Sequence, residues 1–211
     1  MDMKEILCFG DSNTYGRDPI TKGRLERKNR WTGVLQEKLG ENFHVIEEGL
    51  NGRTTVWNDP VRGGRKRNGS CYLLPCLESH APVDLLIIML GTNDLKARFS
   101  VTPYDIGESL AALIQIAQQS NCGPMGNKPE ILILSPPPLG DLTEWAETFT
   151  GGKEKSLELA THFQQACRQH GCHFFDTASV VQSSQIDGLH IDADQHCTLG
   201  EKIAQICLNI L

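Results

Sequence analysis

Two stretches of this chain, LLIIML at 85–90 and ILIL at 131–134, are apolar without interruption. A strand with one wet face alternates in polarity, whereas a strand apolar at every position is covered on both faces, as parallel strands under helices are. EILCF at 5–9, FHVIEE at 43–48 and CHFFD at 172–176 also have strand character; with DLLIIML at 84–90 and EILILS at 130–135 they make five predicted strands. Helical patterns fill the gaps. Thr102, Pro103 and Asp105 read as a helix start, after which Ile106, Leu110, Leu113, Ile114 and Ala117 recur at helical spacing. Asp192, with Gln195 at capping-box distance, opens a last helix whose Leu199, Ile203, Ile206, Cys207 and Ile210 share one face. Strands alternating with helices predict an α/β fold around a parallel sheet. No change of composition marks a linker, and residues 1–211 are predicted to form one domain, long enough to bury about 70% of the unfolded surface.

An open parallel sheet binds its ligands beyond the carboxyl ends of the strands. The residues found there are Gly10-Asp11-Ser12 after the first strand, Gly49-Leu50-Asn51-Gly52-Arg53 after the second and Gly91-Thr92-Asn93-Asp94 after the third. After the fifth comes IDGLHID, with Asp187 and His190 just before the last helix. Each alone has a structural reading as a helix cap, a turn or a loop. Together they meet the needs of acyl transfer by a serine: Ser12 as nucleophile, His190 as the base that takes its proton, Asp187 as the carboxylate that holds the imidazole. The Ser12 amide, the Gly52 amide and the Asn93 side chain are candidate donors to the oxyanion, each worth about 3 kcal/mol in the transition state. Asp11 reads as a supporting turn residue and Asp94 as a helix cap. The G-x-S-x-G elbow is not met, because Thr14 stands where its second glycine belongs.

These four blocks, in this order, resemble those of the SGNH (GDSL) hydrolases. ILCFGDS, RWTGVLQ, VIEEGLNGRTT, LIIMLGTND, LSPPPL and DGLHI further resemble the bacterial arylesterase and acyltransferase branch. The resemblance implies a flavodoxin-like three-layer α/β/α sandwich and ester hydrolysis without a cofactor or metal. It also implies Ser12, Gly52 and Asn93 as the oxyanion hole, acyl transfer to alcohols in some relatives, and homo-oligomers.

Charge and cysteine narrow the partners. A net charge of −6 argues against nucleic acid, yet 17–30 and 62–67 each carry an excess of four positive charges. Both basic segments follow strands on the presumed active face. They read either as solvated loops or as contacts for an anionic ester or a decorated carbohydrate. The eight cysteines contain no C-x-x-C pair and read as free thiols, and six of the seven histidines, all but His190, receive no role. The first ten residues lack a secretory pattern and no apolar run is long enough to span a membrane, so a cytoplasmic enzyme of small-molecule esters is expected.

Trp57, Trp145 and Phe149 are candidate walls of the substrate pocket, with ordinary packing as the alternative. Arg53 and Lys96 are candidate rim charges. Rival readings are a metal-dependent phosphoesterase using Asp11, Asn93, Asp94, His190 and Asp192, a nucleotide-binding module, and a carbohydrate-binding protein without catalysis. GDSNTYG is neither G-x-G-x-x-G nor a Walker A loop, and serine stands where a metal ligand would follow the first strand.

Overall fold

A computed structural model describes residues 3–211. The strands are β1 (Lys4–Gly10), β2 (Phe43–Gly49), β3 (Leu85–Met89), β4 (Glu130–Ser135) and β5 (His173–Asp176). They pair in parallel throughout, in the order β2-β1-β3-β4-β5. This is the flavodoxin-like order, and the α/β/α sandwich expected from the sequence is the fold observed. The helices are α1 (Ser12–Tyr15), α2 (Trp31–Leu39), α3 (Ser70–His80), α4 (Pro103–Gln119), α5 (Gly152–Ser156), α6 (Leu159–His170) and α7 (Ala193–Ile210).

Successive strand residues point to opposite faces, and each face has its own core. Leu7, Phe9, Leu86, Ile88, Ile131 and Ile133 pack with α3, α4 and α6 on one side. Ile6, Cys8, Leu85, Ile87, Leu132 and Leu134 pack with α2 and α7 on the other. That division explains the uninterrupted apolar runs, since every residue of β3 is buried. None of the described helices is long and apolar enough to cross a membrane.

The Thr102 pattern forms a complete capping box with Asp105. The similar pattern at Asp192 does not. Asp192 is the N-cap of α7, but its side chain makes no cap bond, and the Gln195 carbonyl oxygen accepts instead from the Gln182 amide at 2.7 Å. The long-range partner wins over the local one.

Between the ends of β1 and β2 the short helix α1 lies almost in contact with the sheet. Gly10 faces Gly49 across the ladder, and a side chain at either would collide with α1. A Cβ at Gly49 would stand 2.1 Å from the Tyr15 nitrogen, and one at Gly10 would stand 2.1 Å from Thr14 Oγ1. Gly10 is therefore required for close approach. Gly49→Ala strikes backbone that cannot swing away, so α1 and Ser12 with it must shift. The expected result is a loss of about 3 kcal/mol of stability, read as a drop of roughly 6–12 °C in Tm. An unchanged melting curve would contradict this close packing.

Candidate active site

The order β2-β1-β3 reverses the direction of winding at β1, which places a crevice beyond the ends of β1 and β3. Asp11 caps α1, accepting the Asn13 amide at 2.9 Å, and Ser12 opens the helix beside it. The segment before α7 supplies the other half. Asp187 Oδ1 accepts the backbone amides of Leu189 and His190 at 2.9 and 3.0 Å, which fixes the loop that carries the histidine. Asp187 Oδ2 lies 2.6 Å from His190 Nδ1, and His190 Nε2 lies 3.1 Å from Ser12 Oγ. All three side chains are buried. Burial alone would lift the Asp187 carboxyl, but the bond from His190 and the two amides outweigh it and hold it below the ordinary carboxylate value.

The other predicted residues meet on the same edge. Gly52 sits at φ +81° in the turn after β2, a left-handed conformation in which glycine carries no steric cost. Asn93 lies in the turn after β3 and donates from Nδ2 to Asp11 Oδ2 at 3.2 Å, so Asp11 orients the asparagine as well as the serine turn. That bond uses one of the two N–H groups of the Asn93 amide. Among the described residues, the backbone N–H groups of Ser12 and Gly52 have no hydrogen-bond partner. Ser12, Gly52, Asn93 and His190 line one cavity of about 190 Å³ together with Arg17, Asn51, Arg62, Arg67, Lys96, Trp145, Phe149 and Leu189.

Across its length the chain carries this site on a recognisable scaffold. The GDSL-like Lipase/Acylhydrolase family matches residues 8–198. The chain belongs to that family. It is thus a carboxylic ester hydrolase, and solved structures of similar proteins agree. It is 40% identical to the inhibitor-bound aryl esterase of M. smegmatis, with a TM-score of 0.93 over 99% of this chain and 100% of that one. It is 37% identical to a carbohydrate acetylesterase from Sinorhizobium meliloti, with a TM-score of 0.94 over 99% and 100%. A G-D-S-L lipolytic protein from Veillonella parvula, 17% identical with a TM-score of 0.65 over 96% and 97%, shares the fold. No curated protein matches the chain significantly.

Several residues of this acylhydrolase lie elsewhere than the sequence suggested. Asp94 caps nothing. It is fully buried and accepts the Thr55 amide at 3.0 Å and the Thr55 hydroxyl, tying the turn after β3 to the loop after β2. Arg53 is not at the rim. It is buried, donates to the carbonyls of Gly10 at 2.9 Å and of Glu48, and lays its guanidinium 4.0 Å from the Phe9 ring centroid, so it braces the ends of β1 and β2. Lys96 reaches the cavity but is buried and paired with Asp59 at 3.0 Å. Trp145 and Phe149 line the cavity, whereas Trp57 packs against the core instead. Asp11, Asp94, His190 and Asp192, considered for a metal, do not gather into a close group of three donors. Among the described residues the close trio of possible donors is Glu48, Cys76 and His80. The cysteines are all free thiols.

Sequence reasoning missed Asn13. Its Oδ1 accepts the Ile191 amide at 3.1 Å and its Nδ2 donates to the Leu189 carbonyl at 3.5 Å, so it staples the serine helix to the histidine loop. Its position next to Ser12 was the available signal. His196 was given no role, yet it is buried and its Nδ1 accepts the Trp31 amide at 3.2 Å, joining α7 to α2.

Asp11 and Asp94 give stability an unusual pH dependence. Burial pushes Asp11 up to about 6 against the pull of the Asn13 amide, and pushes Asp94 up to about 7 against its bonds to Thr55. Both groups hold their protons more tightly folded than unfolded, where they release them near 3.8. Their contribution is complete below that value and is lost as pH rises through about 6 and 7. His196 acts in the opposite sense, because burial pushes it down to about 3 from 6.5; the stability it contributes is present above 6.5 and lost on acidification. A difference between variants isolates the carboxyl. Relative to the parent, Asp94→Asn should gain about 5 °C in Tm between roughly pH 5 and pH 8. A constant offset across that range would place the ionisation of Asp94 outside it.

Proposed function

We propose that the chain acts as one hydrolase domain, a serine esterase for short-chain acyl or aryl esters. The observation that carries this reading is the unbroken line Ser12 Oγ, His190 Nε2, His190 Nδ1 and Asp187, opening on a small cavity that also holds unpaired amide donors. Ser12 Oγ attacks the ester carbonyl carbon while its proton passes to His190 Nε2. The carbonyl oxygen becomes an oxyanion, which the Ser12 and Gly52 amides and Asn93 receive. As the tetrahedral intermediate collapses, the bond to the alcohol oxygen breaks and His190 returns its proton to that oxygen. Water then repeats the sequence on the acyl-enzyme, giving its proton to His190, and the acid leaves as Ser12 regains a proton. Asp187 holds Nδ1–H throughout and supports the imidazolium. An alcohol in place of that water completes acyl transfer instead of hydrolysis.

The cavity's size favours short acyl groups. About 190 Å³ lies below the ~300 Å³ at which pockets begin to enclose drug-sized ligands. A second reading, O-deacetylation of a carbohydrate by the same residues, is supported by the likeness to a carbohydrate acetylesterase. Rates on acetylated sugars against 4-nitrophenyl acetate decide between the two.

The test is direct. Hydrolysis of 4-nitrophenyl acetate should proceed at the same rate with and without EDTA. A fluorophosphonate should abolish it while adding one label, on the peptide that contains Ser12. Loss of activity in EDTA, or inactivation with the label on another residue, would overturn the serine mechanism.

A further inference from the structure

The basic segments divide into paired and unpaired residues. In the first, Arg24 and Arg30 both reach Glu47, Lys22 reaches Glu144 and Lys28 reaches Glu26. Arg17 has no acidic partner among the described residues, and neither Arg62 nor Arg67 in the second segment has one. These three unpaired arginines line the cavity that holds Ser12, and Lys96 joins them there. Asp59 balances only part of that charge, since it carries both Lys96 and Arg98. No carboxylate is among the residues lining the cavity.

Two of the arginines are placed with respect to the reacting centre. The guanidinium of Arg62 stands 5.0 Å from the ring centroid of Trp145, on the cavity wall. The Cδ and Nε of Arg67 lie 3.7 Å from the point a Gly52 side chain would occupy, so the arginine packs beside Gly52. On a chain of net charge −6, a crevice lined by positive charge alone is a local reversal of field, and such a crevice concentrates anions. Neutralising the oxyanion is the part proposed above for the Ser12 and Gly52 amides and Asn93, so it does not require these groups. Their charge is available to another part of the substrate.

We infer that the ester this pocket takes carries a second, anionic group, a carboxylate, phosphate or sulfate, which Arg62 and Arg67 hold while the ester carbon lies at Ser12. The inference rests on the esterase reading above and specifies its substrate class. The charge belongs to either the acyl half or the alcohol half, and substrate pairs separate the two. For the alcohol half the pair is 4-acetoxybenzoate and its methyl ester; for the acyl half it is 4-nitrophenyl hemisuccinate and its methyl ester. Each kcat/KM is divided by the rate of the same ester with hydroxide, which removes differences in intrinsic reactivity.

The anionic member of at least one pair should exceed its neutral twin by about tenfold or more, the effect of one charge-assisted contact. Raising the salt from about 0.02 M to about 0.5 M should cut that ratio several-fold in the unaltered enzyme, by screening. The doubly substituted Arg62→Gln/Arg67→Gln enzyme should bring the ratio to about one. Ratios at or below about one in both pairs, or a preference that survives both salt and the double substitution, would overturn the inference and leave the esterase reading standing. The converse outcome is separable by calorimetry on Ser12→Ala. If that variant still turns over esters, the serine mechanism fails. Tighter binding of the anionic member than of its methyl ester in either pair then upholds the anion site, and equal binding in both pairs removes it.

Discussion

Replacing Ser12 by alanine should lower kcat/KM for 4-nitrophenyl acetate by about 10⁴-fold or more while leaving the melting temperature nearly unchanged. The side chain lost is small and among the described residues its hydrogen-bond partner is His190, at 3.1 Å, so little of the fold depends on it. What disappears is the atom proposed to form the covalent bond. The amides at Ser12 and Gly52 and the Asn93 side chain remain, and they alone should sustain a weak acceleration over the reaction with water. Steady-state rates with pure variant protein, beside a circular-dichroism melt, give both numbers. A variant retaining a tenth or more of the parent's rate would move the chemistry to another group.

Asp187→Asn tests a subtler point, and its expected cost is a fall in kcat of about 10³–10⁴-fold. The asparagine keeps an oxygen able to accept the Leu189 and His190 amides that shape the loop. Its amide NH₂, however, would face His190 Nδ1, now as a donor. The imidazole must then present Nδ1 as the acceptor and carry its proton on Nε2. That nitrogen can no longer take a proton from Ser12. Binding of a neutral ester should change little, so the loss appears in kcat rather than KM. A reduction of less than about tenfold would show that His190 needs no partner to act as a base.

The features legible in the sequence were those whose cause is local or periodic. The unbroken apolar runs located β3 and β4, because burial on both faces leaves no polar position to interrupt them. The Thr102 cap was readable for the same reason: both of its partners lie within four residues. Strand ends bearing Gly10-Asp11-Ser12, Gly52, Asn93 and the Asp187/His190 pair pointed to one edge once the strands were parallel. Contacts between distant segments were not readable. Asp94 looked like a cap because its partner, Thr55, lies on another loop, and Gln195 was drawn away by Gln182. Arg53 looked like a surface charge because nothing nearby in sequence announces the two carbonyls and the ring that enclose it.

The Ser12 and His190 side chains meet across 178 residues of chain, and Asn13 meets Ile191 across the same interval. During synthesis Ser12 is made 178 residues before His190. Until residue 190 has been added and its loop has closed against α1, the nascent polypeptide holds a serine with no base beside it. Under the proposed serine mechanism, hydrolytic competence therefore arises only once that loop has closed, and during refolding from denaturant its return should coincide with the docking of α7 rather than with the formation of local helix. The proposed reaction thus reports one long-range closure of the fold.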